Sequence, residues 1–227
     1  MTSVGWVPGR LSGSAPSHRG RRTLGRGAKR ALDLVGAALL LLVLWPVVIA
    51  AGLAVRATSP GPMLFRQERV GRGGRTFTML KLRTMRTDSS DRAHRAYVAA
   101  LLSGEAVAVD GLYKLQGDDR VTRVGRLLRR TSLDELPQLW NVLRGHMSLV
   151  GPRPAIPWEV DLFPPWARRR FEVRPGITGL WQVSGRSRLS MLDGLMLDVQ
   201  YVQRQSVLFD LLILVRTVGA VCGRGAR

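Results

Sequence analysis

The chain has 227 residues, 45% of them hydrophobic, which suffices for one medium domain with its own core. Its 35 Lys+Arg stand against 16 Asp+Glu, a formal charge of +19, so an anionic partner is implied: nucleic acid, anionic lipid or a phosphorylated substrate. A single cysteine, Cys222, excludes an internal disulfide, and three scattered histidines (His18, His94, His146) argue against a zinc site.

Residues 1–27 read as a disordered basic tail. Gly, Ser and Pro are frequent there, apolar periodicity is lacking, and residues 1–30 hold seven basic residues and no acid. Leu34 to Val55 follows, 22 residues without a charge. As one helix it would be about 33 Å long, enough to cross a bilayer. A signal peptide fits poorly, because the apolar run is too long, starts late and lacks a small-residue cleavage site. Both flanks are basic: the tail up to Arg30 on one side, and Arg56, Arg66, Arg69, Arg72, Arg75, Lys81, Arg83 and Arg86 against Glu68 on the other. A spanning helix would leave one flank outside, against the positive-inside tendency. Pro46 sits mid-segment, where it removes a backbone hydrogen bond and favours a kink. A membrane segment 28–57 that dips in and returns keeps both flanks cytoplasmic; a spanning helix merely bent at Pro46 is the alternative.

Residues 58–223 read as a compact domain, with 224–227 as a C-terminal tail. Thr58-Ser59-Pro60-Gly61-Pro62 is a stop. Met63–Val70 and Thr76–Arg83 are two short strands, and Gly71-Arg72-Gly73-Gly74 between them is a hairpin turn rather than a phosphate loop, since its spacing is not Walker A and no helix follows. Helical patterns follow at Asp91–Leu102, Arg120–Arg130 and Leu133–Leu143. Trp158–Val173 is mixed, Arg174–Gly185 is Gly-rich and loop-like, and Leu192–Val202 and Val207–Val221 are helical. The last is apolar on most faces, which suits either an interfacial membrane helix or a core helix. The fold expected is mostly α with a small β-hairpin, a membrane-embedded re-entrant N-terminal helix, amphipathic interfacial helices and a compact cytoplasmic catalytic domain.

Thr131 to Pro137 carries the adjacent acids Asp134 and Glu135. Ser132 and Glu135 have capping-box spacing, so a plain helix start explains the acids. Nearby arginines favour chemistry instead: Arg129 and Arg130 precede the pair, Gly151-Pro152-Arg153-Pro154 follows, and Arg174-Pro175-Gly176 and Gly185-Arg186 repeat the pattern. Arginines fixed beside loop formers suit phosphate oxygens, which the guanidinium fork bonds bidentately. Among them, a carboxylate could hold Mg²⁺ together with substrate phosphates or attack phosphorus.

These motifs resemble the bacterial sugar transferases, the small monotopic polyprenyl-phosphate phosphoglycosyl transferases. The resemblance runs from Lys29 to Gly223. It is carried by Lys29-Arg30-Ala31-Leu32-Asp33, Lys81-Leu82-Arg83-Thr84-Met85, Thr131 to Leu143, Met147 to Pro154, Arg174 to Gly179, Gln182 and Gly185-Arg186. It implies transfer of a sugar-1-phosphate from a UDP-sugar donor to undecaprenyl (polyprenyl) phosphate, with release of UMP, at the start of exopolysaccharide, O-antigen or glycoprotein glycan assembly. It further implies that Asp134 is the nucleophile of a covalent phosphosugar intermediate and Glu135 a Mg²⁺ ligand. Lys81, Arg129, Arg153 and Arg186 would bind substrate phosphates, with Asp198, Gln182 and Arg174 in support. Pro46 would mark the re-entrant kink of an enzyme on the cytoplasmic face of the bacterial inner membrane. Trp45 stands where the family has serine, and His146, where an acid is common, receives no role. Anionic membrane lipid and downstream glycosyltransferases are the further partners implied. Nucleic acid is not, because aromatics are only 6% and no recognition element is present. A lipid-phosphate hydrolase using the same acids is separated from a transferase only by the motifs.

Overall fold

The computed structural model describes residues 19–86, 100, 120–185 and 189–222. Helix α1, Arg19–Thr58, is a continuous 40-residue helix. It begins inside the segment read as a disordered tail, so residues 19–27 are helical. The arginines and Leu24 there are good helix formers, and the interspersed glycines weaken the helix without ending it. Pro46 lies inside α1 without interrupting it, so the single lost hydrogen bond is absorbed within the helix.

One stripe of α1 faces the rest of the protein. Lys29, Asp33, Ala37, Gly52 and Val55 are buried at helical spacing, whereas Leu42, Val43 and Trp45 are 70%, 69% and 54% exposed. Leu41 packs on the central core, and Ala51 and Val55 pack with Leu82 and Leu128. Both ends of the apolar run therefore rest on one body. By length and composition α1 is the one helix among the described residues that could cross a membrane.

Strands β1, Leu64–Val70, and β2, Thr76–Leu82, form the expected antiparallel hairpin, Phe65 facing Lys81 and Arg69 facing Phe77. The turn uses Gly73 and Gly74 at φ 70° and 76°, a region that glycine enters without steric cost. Helix α2, Arg123–Thr131, leads into a 3₁₀ turn, Leu133–Glu135, and then α3, Gln138–Leu143. The single helix expected over Leu133–Leu143 is thus split. The helix expected at Asp91–Leu102 falls, Ala100 apart, outside the described residues.

Strand β3, Ser148–Val150, pairs in parallel with β4, Gly176–Thr178. This second sheet corrects the loop reading of Arg174–Gly185. A Cβ on Gly151 would come 2.4 Å from the Arg174 carbonyl oxygen, and one on Gly176 2.1 Å from the Gly151 nitrogen. The glycines are there because two backbones nearly touch, not because the chain is irregular. Between the strands lie α4, Pro157–Asp161, and a 3₁₀ segment, Pro165–Glu172. Helices α5, Leu180–Val183, α6, Met191–Arg204, and α7, Val207–Cys222, complete the fold.

The main core gathers Ala37, Met79, Leu139, Val142, Met147, Val150, Tyr201 and Ile213 from six elements. A polar knot beside it fixes α1 to this core. Lys29 Nζ donates to Ser148 Oγ at 2.6 Å and ion-pairs with Asp33 at 3.2 Å and Asp210 at 2.7 Å. Tyr201 donates to Val150 O and to Asp210. Burial raises Asp210 above the ordinary carboxylate value, and Lys29 opposes the shift. On α7 the polar Asp210 faces inward, while Leu208, Val215 and Val218 are 78%, 71% and 64% exposed.

Candidate active site

Asp134 and Glu135 sit on the 3₁₀ turn between α2 and α3. Ser132 creates the turn: its backbone is left-handed, φ 57°, and it closes α2 by donating its N–H to Arg129 O. A residue in that conformation cannot serve as the N-cap of the next helix, and its side chain makes no capping bond. The capping-box reading of Ser132 and Glu135 is therefore corrected. The Glu135 carboxylate instead accepts from Lys81 Nζ at 2.8 Å. Asp134 is buried, at 8% exposure, and Glu135 is half-buried.

The Lys81–Met85 run holds this corner together. Lys81 reaches Glu135. Arg83 closes the exit from α1, donating to the carbonyls of Ser59 at 2.8 Å and Pro62 at 2.8 Å. Thr84 Oγ1 accepts from Arg129 Nε at 2.9 Å, and Thr84 O accepts from Thr122 N at 3.0 Å. Lys81 thus meets Glu135 across 54 residues of chain, and Arg129, at the end of α2, is bonded to Thr84, three residues beyond Lys81.

The Gly151–Pro154 turn is held from below by two buried arginines that no sequence motif marked. Arg69 Nη1 donates to Pro154 O at 2.8 Å, and Arg170 Nη2 to Arg153 O at 2.6 Å. Arg170 also pairs with Asp198 at 2.6 Å. Burial lowers Arg69 to about 9. Arg153 pushes it the same way, and Glu159 and Glu135 oppose. Arg69 therefore stands in the field of both Glu135 and Arg153, which links the two motifs. Glu159, fully buried, caps α4 by accepting from Ile156 N at 2.8 Å. Burial raises Asp198 to about 6, with Arg170 and Arg153 pulling the other way. Strand β1 also carries Arg66, Gln67 and Glu68, so nothing in its sequence singles out Arg69.

The remaining expected residues lie elsewhere. Gln182 is on α5 with a buried Oε1 lacking a partner among the described residues. Arg174 donates through Nε to Gly145 O at 2.8 Å, at the hairpin-turn end of the domain. That position separates it from the acidic pair. Arg186 lies outside the described residues.

For Mg²⁺, no cluster of three or more His, Cys, Asp or Glu exists among the described residues. Two adjacent carboxylates, one of them partly open to solvent, still fit Mg²⁺, which commonly takes one or two carboxylates and completes its shell with substrate phosphates and water.

The family model described as bacterial sugar transferase matches residues 24–224. The exopolysaccharide production protein ExoY of Sinorhizobium fredii is 41% identical over 203 residues, covering 88% of this chain and 88% of ExoY. The UDP-glucose:undecaprenyl-phosphate glucose-1-phosphate transferase of Caulobacter vibrioides is 46% identical over 200 residues, 84% of this chain and 68% of that protein. The galactosyl transferase CpsE of Streptococcus agalactiae is 41% identical over 202 residues, 88% of this chain; the chain spans 43% of its length.

Proposed function

The chain belongs to the bacterial sugar transferase family, and from that premise we propose that it transfers a sugar-1-phosphate from a UDP-sugar to undecaprenyl phosphate and releases UMP. The observation that carries this reading is the meeting of Glu135, next to Asp134, with Lys81 at a partly open corner, with Arg129 fixed on the neighbouring Thr84. The names of its relatives give the reaction class.

An Asp134 carboxylate oxygen attacks the phosphorus that bears the sugar. The bond from that phosphorus to the bridging oxygen breaks, and UMP leaves with the electron pair. The resulting acyl phosphate is then attacked by an oxygen of the lipid phosphate, which frees Asp134 again. Lys81, Arg129, Arg153 and Arg186 bind phosphate oxygens and offset charge as the phosphoryl group moves. Glu135 would hold Mg²⁺, which when bound supplies charge neutralisation at the diphosphate. Asp198 acts at a distance, through Arg170 and the Arg153 carbonyl.

The exposed apolar stretch of α1 dips into the membrane with both basic flanks kept on the cytoplasmic side. Exposed apolar residues of α7 lie in the interface, and the acidic pair faces the cytoplasm. Support comes from the two basic flanks and from the packing of both ends of the apolar run on one domain.

The test is UMP release from membranes given a panel of UDP-sugars and undecaprenyl phosphate. Wild type is expected to release UMP with at least one donor, and Asp134→Asn none. Retained turnover in Asp134→Asn would exclude the covalent step, and loss of activity in chelator is expected for the metal.

A further inference from the structure

The hairpin turn lines a cavity of about 570 Å³ together with Thr76, Phe77, Gly145, His146 and Arg174. Arg72 and Arg75 border it from the turn, and among the described residues no carboxylate lines it, nor does Lys81, Arg129 or Arg153. Thr76 and Lys81 are five residues apart on β2, about 17 Å at the strand rise, so the cavity and the acidic corner occupy opposite ends of the hairpin.

Several cations built into the fold have a carboxylate partner. Lys29 pairs with Asp33 and Asp210, Lys81 with Glu135, and Arg170 with Asp198. Arg72, Arg75 and Arg174 have no ion pair among the described residues. Arg174 is oriented by its Nε bond to Gly145 O. Burial lowers its guanidinium below the ordinary value, and Arg30 and Arg72 lower it further, with only Asp33 opposing. Mutually repelling cations around an open cavity are what a bound anion relieves.

Its position indicates the source of that anion. Arg30 donates to Val142 O at 2.8 Å and Leu143 O at 3.1 Å, and a Cβ on Gly145 would lie 3.4 Å from Arg30 Nη2. Arg30 precedes Leu34, the start of the apolar run, by four residues, about 6 Å of helix. The cavity is therefore level with the start of the membrane segment, where headgroup phosphates lie. Trp140, 47% exposed with Arg144 over its ring at 5.3 Å, is of the type enriched at that depth.

We propose that Arg72, Arg75, His146 and Arg174 form a phosphate-binding site separate from the Asp134–Glu135 centre, filled by the phosphodiester of an anionic lipid headgroup or by phosphate from solution. The site rests on the membrane placement of α1 and not on the transferase reading.

The experiment uses the purified full chain in neutral detergent. Binding of dihexanoyl phosphatidylglycerol, dihexanoyl phosphatidylcholine and inorganic phosphate is measured for wild type, Arg72→Gln/Arg75→Gln, His146→Asp and Asp134→Asn. Wild type and Asp134→Asn are expected to bind phosphatidylglycerol with the same Kd, and the double variant at least tenfold more weakly. His146→Asp, which adds a carboxylate to the cavity without removing an arginine, is expected to weaken it too. Circular dichroism checks that the variants fold. Inorganic phosphate displacing the lipid at equal affinity identifies a soluble anion as the ligand, and failure to displace it identifies the headgroup. Unchanged binding in the folded double variant overturns the site. Equal binding of phosphatidylcholine, or loss of binding in Asp134→Asn or with saturating UMP, overturns it as well.

Discussion

Lys81 and Glu135 meet at 2.8 Å across 54 residues of chain, joining the end of the hairpin to the acidic turn. Their side chains are 24% and 36% exposed, so solvent screening limits the pair's worth to about 1 kcal/mol of stability or less. Its use is in placing charge where phosphate must sit. Lys81→Met should therefore lower UMP release roughly 100-fold, the scale of removing one electrostatic contact from a reacting group. Its Tm should fall by only a few degrees. A collapse of Tm with proportionate loss of activity would mean that the lysine is structural.

Gly125 is a stability determinant of the same corner. A Cβ there would lie 2.1 Å from the Thr84 carbonyl oxygen, a backbone atom already bonded to Thr122 N. Gly125→Ala must tilt α2 away and carry Arg129 off Thr84. A cost of about 1–3 kcal/mol is expected, in the range of overpacking a filled site. UMP release should fall with it. Gly219→Ala is the control, since nothing lies within 4 Å of that position; alanine in that helix should be neutral or slightly stabilising. Thermal unfolding of the two variants in detergent makes the comparison.

Asp198 gives stability a pH slope. Its carboxyl is raised by burial from 3.8 to about 6 in the folded protein. The folded state thus holds its proton more tightly than the unfolded state does. Stability therefore falls as pH rises from about 4 to about 6, and this contribution is level above that. Asp198→Asn should flatten the slope. It should also destabilise at pH 7, by roughly 3–5 kcal/mol, because Arg170 would be left buried without its charge partner. Melting curves across that pH range decide it; a slope unchanged in Asp198→Asn would assign it to another group.

Local signals made part of this legible. The hairpin strands are bounded by Gly and Pro, so Leu64–Val70 and Thr76–Leu82 lie within a residue of the expected bounds. Periodicity likewise found α6 and α7. The pairing of β3 with β4 was hidden, because each strand is three residues long and the glycines that permit it look like loop. Ser132 gave the wrong local reading for a related reason. Its spacing to Glu135 suits a cap, but the end of α2 had already set its backbone left-handed, and Lys81 took the carboxylate. Arg69, Arg170 and Glu159 carry no motif; their roles exist only through carbonyls and charges brought in from elsewhere. Arg174 was grouped with the acidic pair on its proline and glycine neighbours, and these say how rigid a turn is but not where it points.

The topology proposed for α1 rests on a length. Leu41 packs on the main core and Ala51 on the cluster of Val55, Leu82 and Leu128, so the stretch between the two anchors is ten residues. That is about 15 Å of helix, half of a hydrocarbon core of about 30 Å. A helix fixed to one domain at both points cannot have that domain on one face of the bilayer and its far end on the other. On the re-entrant reading, the exposed residues between, Leu42 to Ile49, are the part that dips deepest into the lipid. In a Cys222→Ser background, cysteines placed at Ser17 and at Thr87 should both resist a membrane-impermeant label in intact cells. Both should react once the cells are permeabilised. Labelling of one and not the other in intact cells would make α1 a crossing helix, and the packing of its two ends on one domain would then have to open in the membrane.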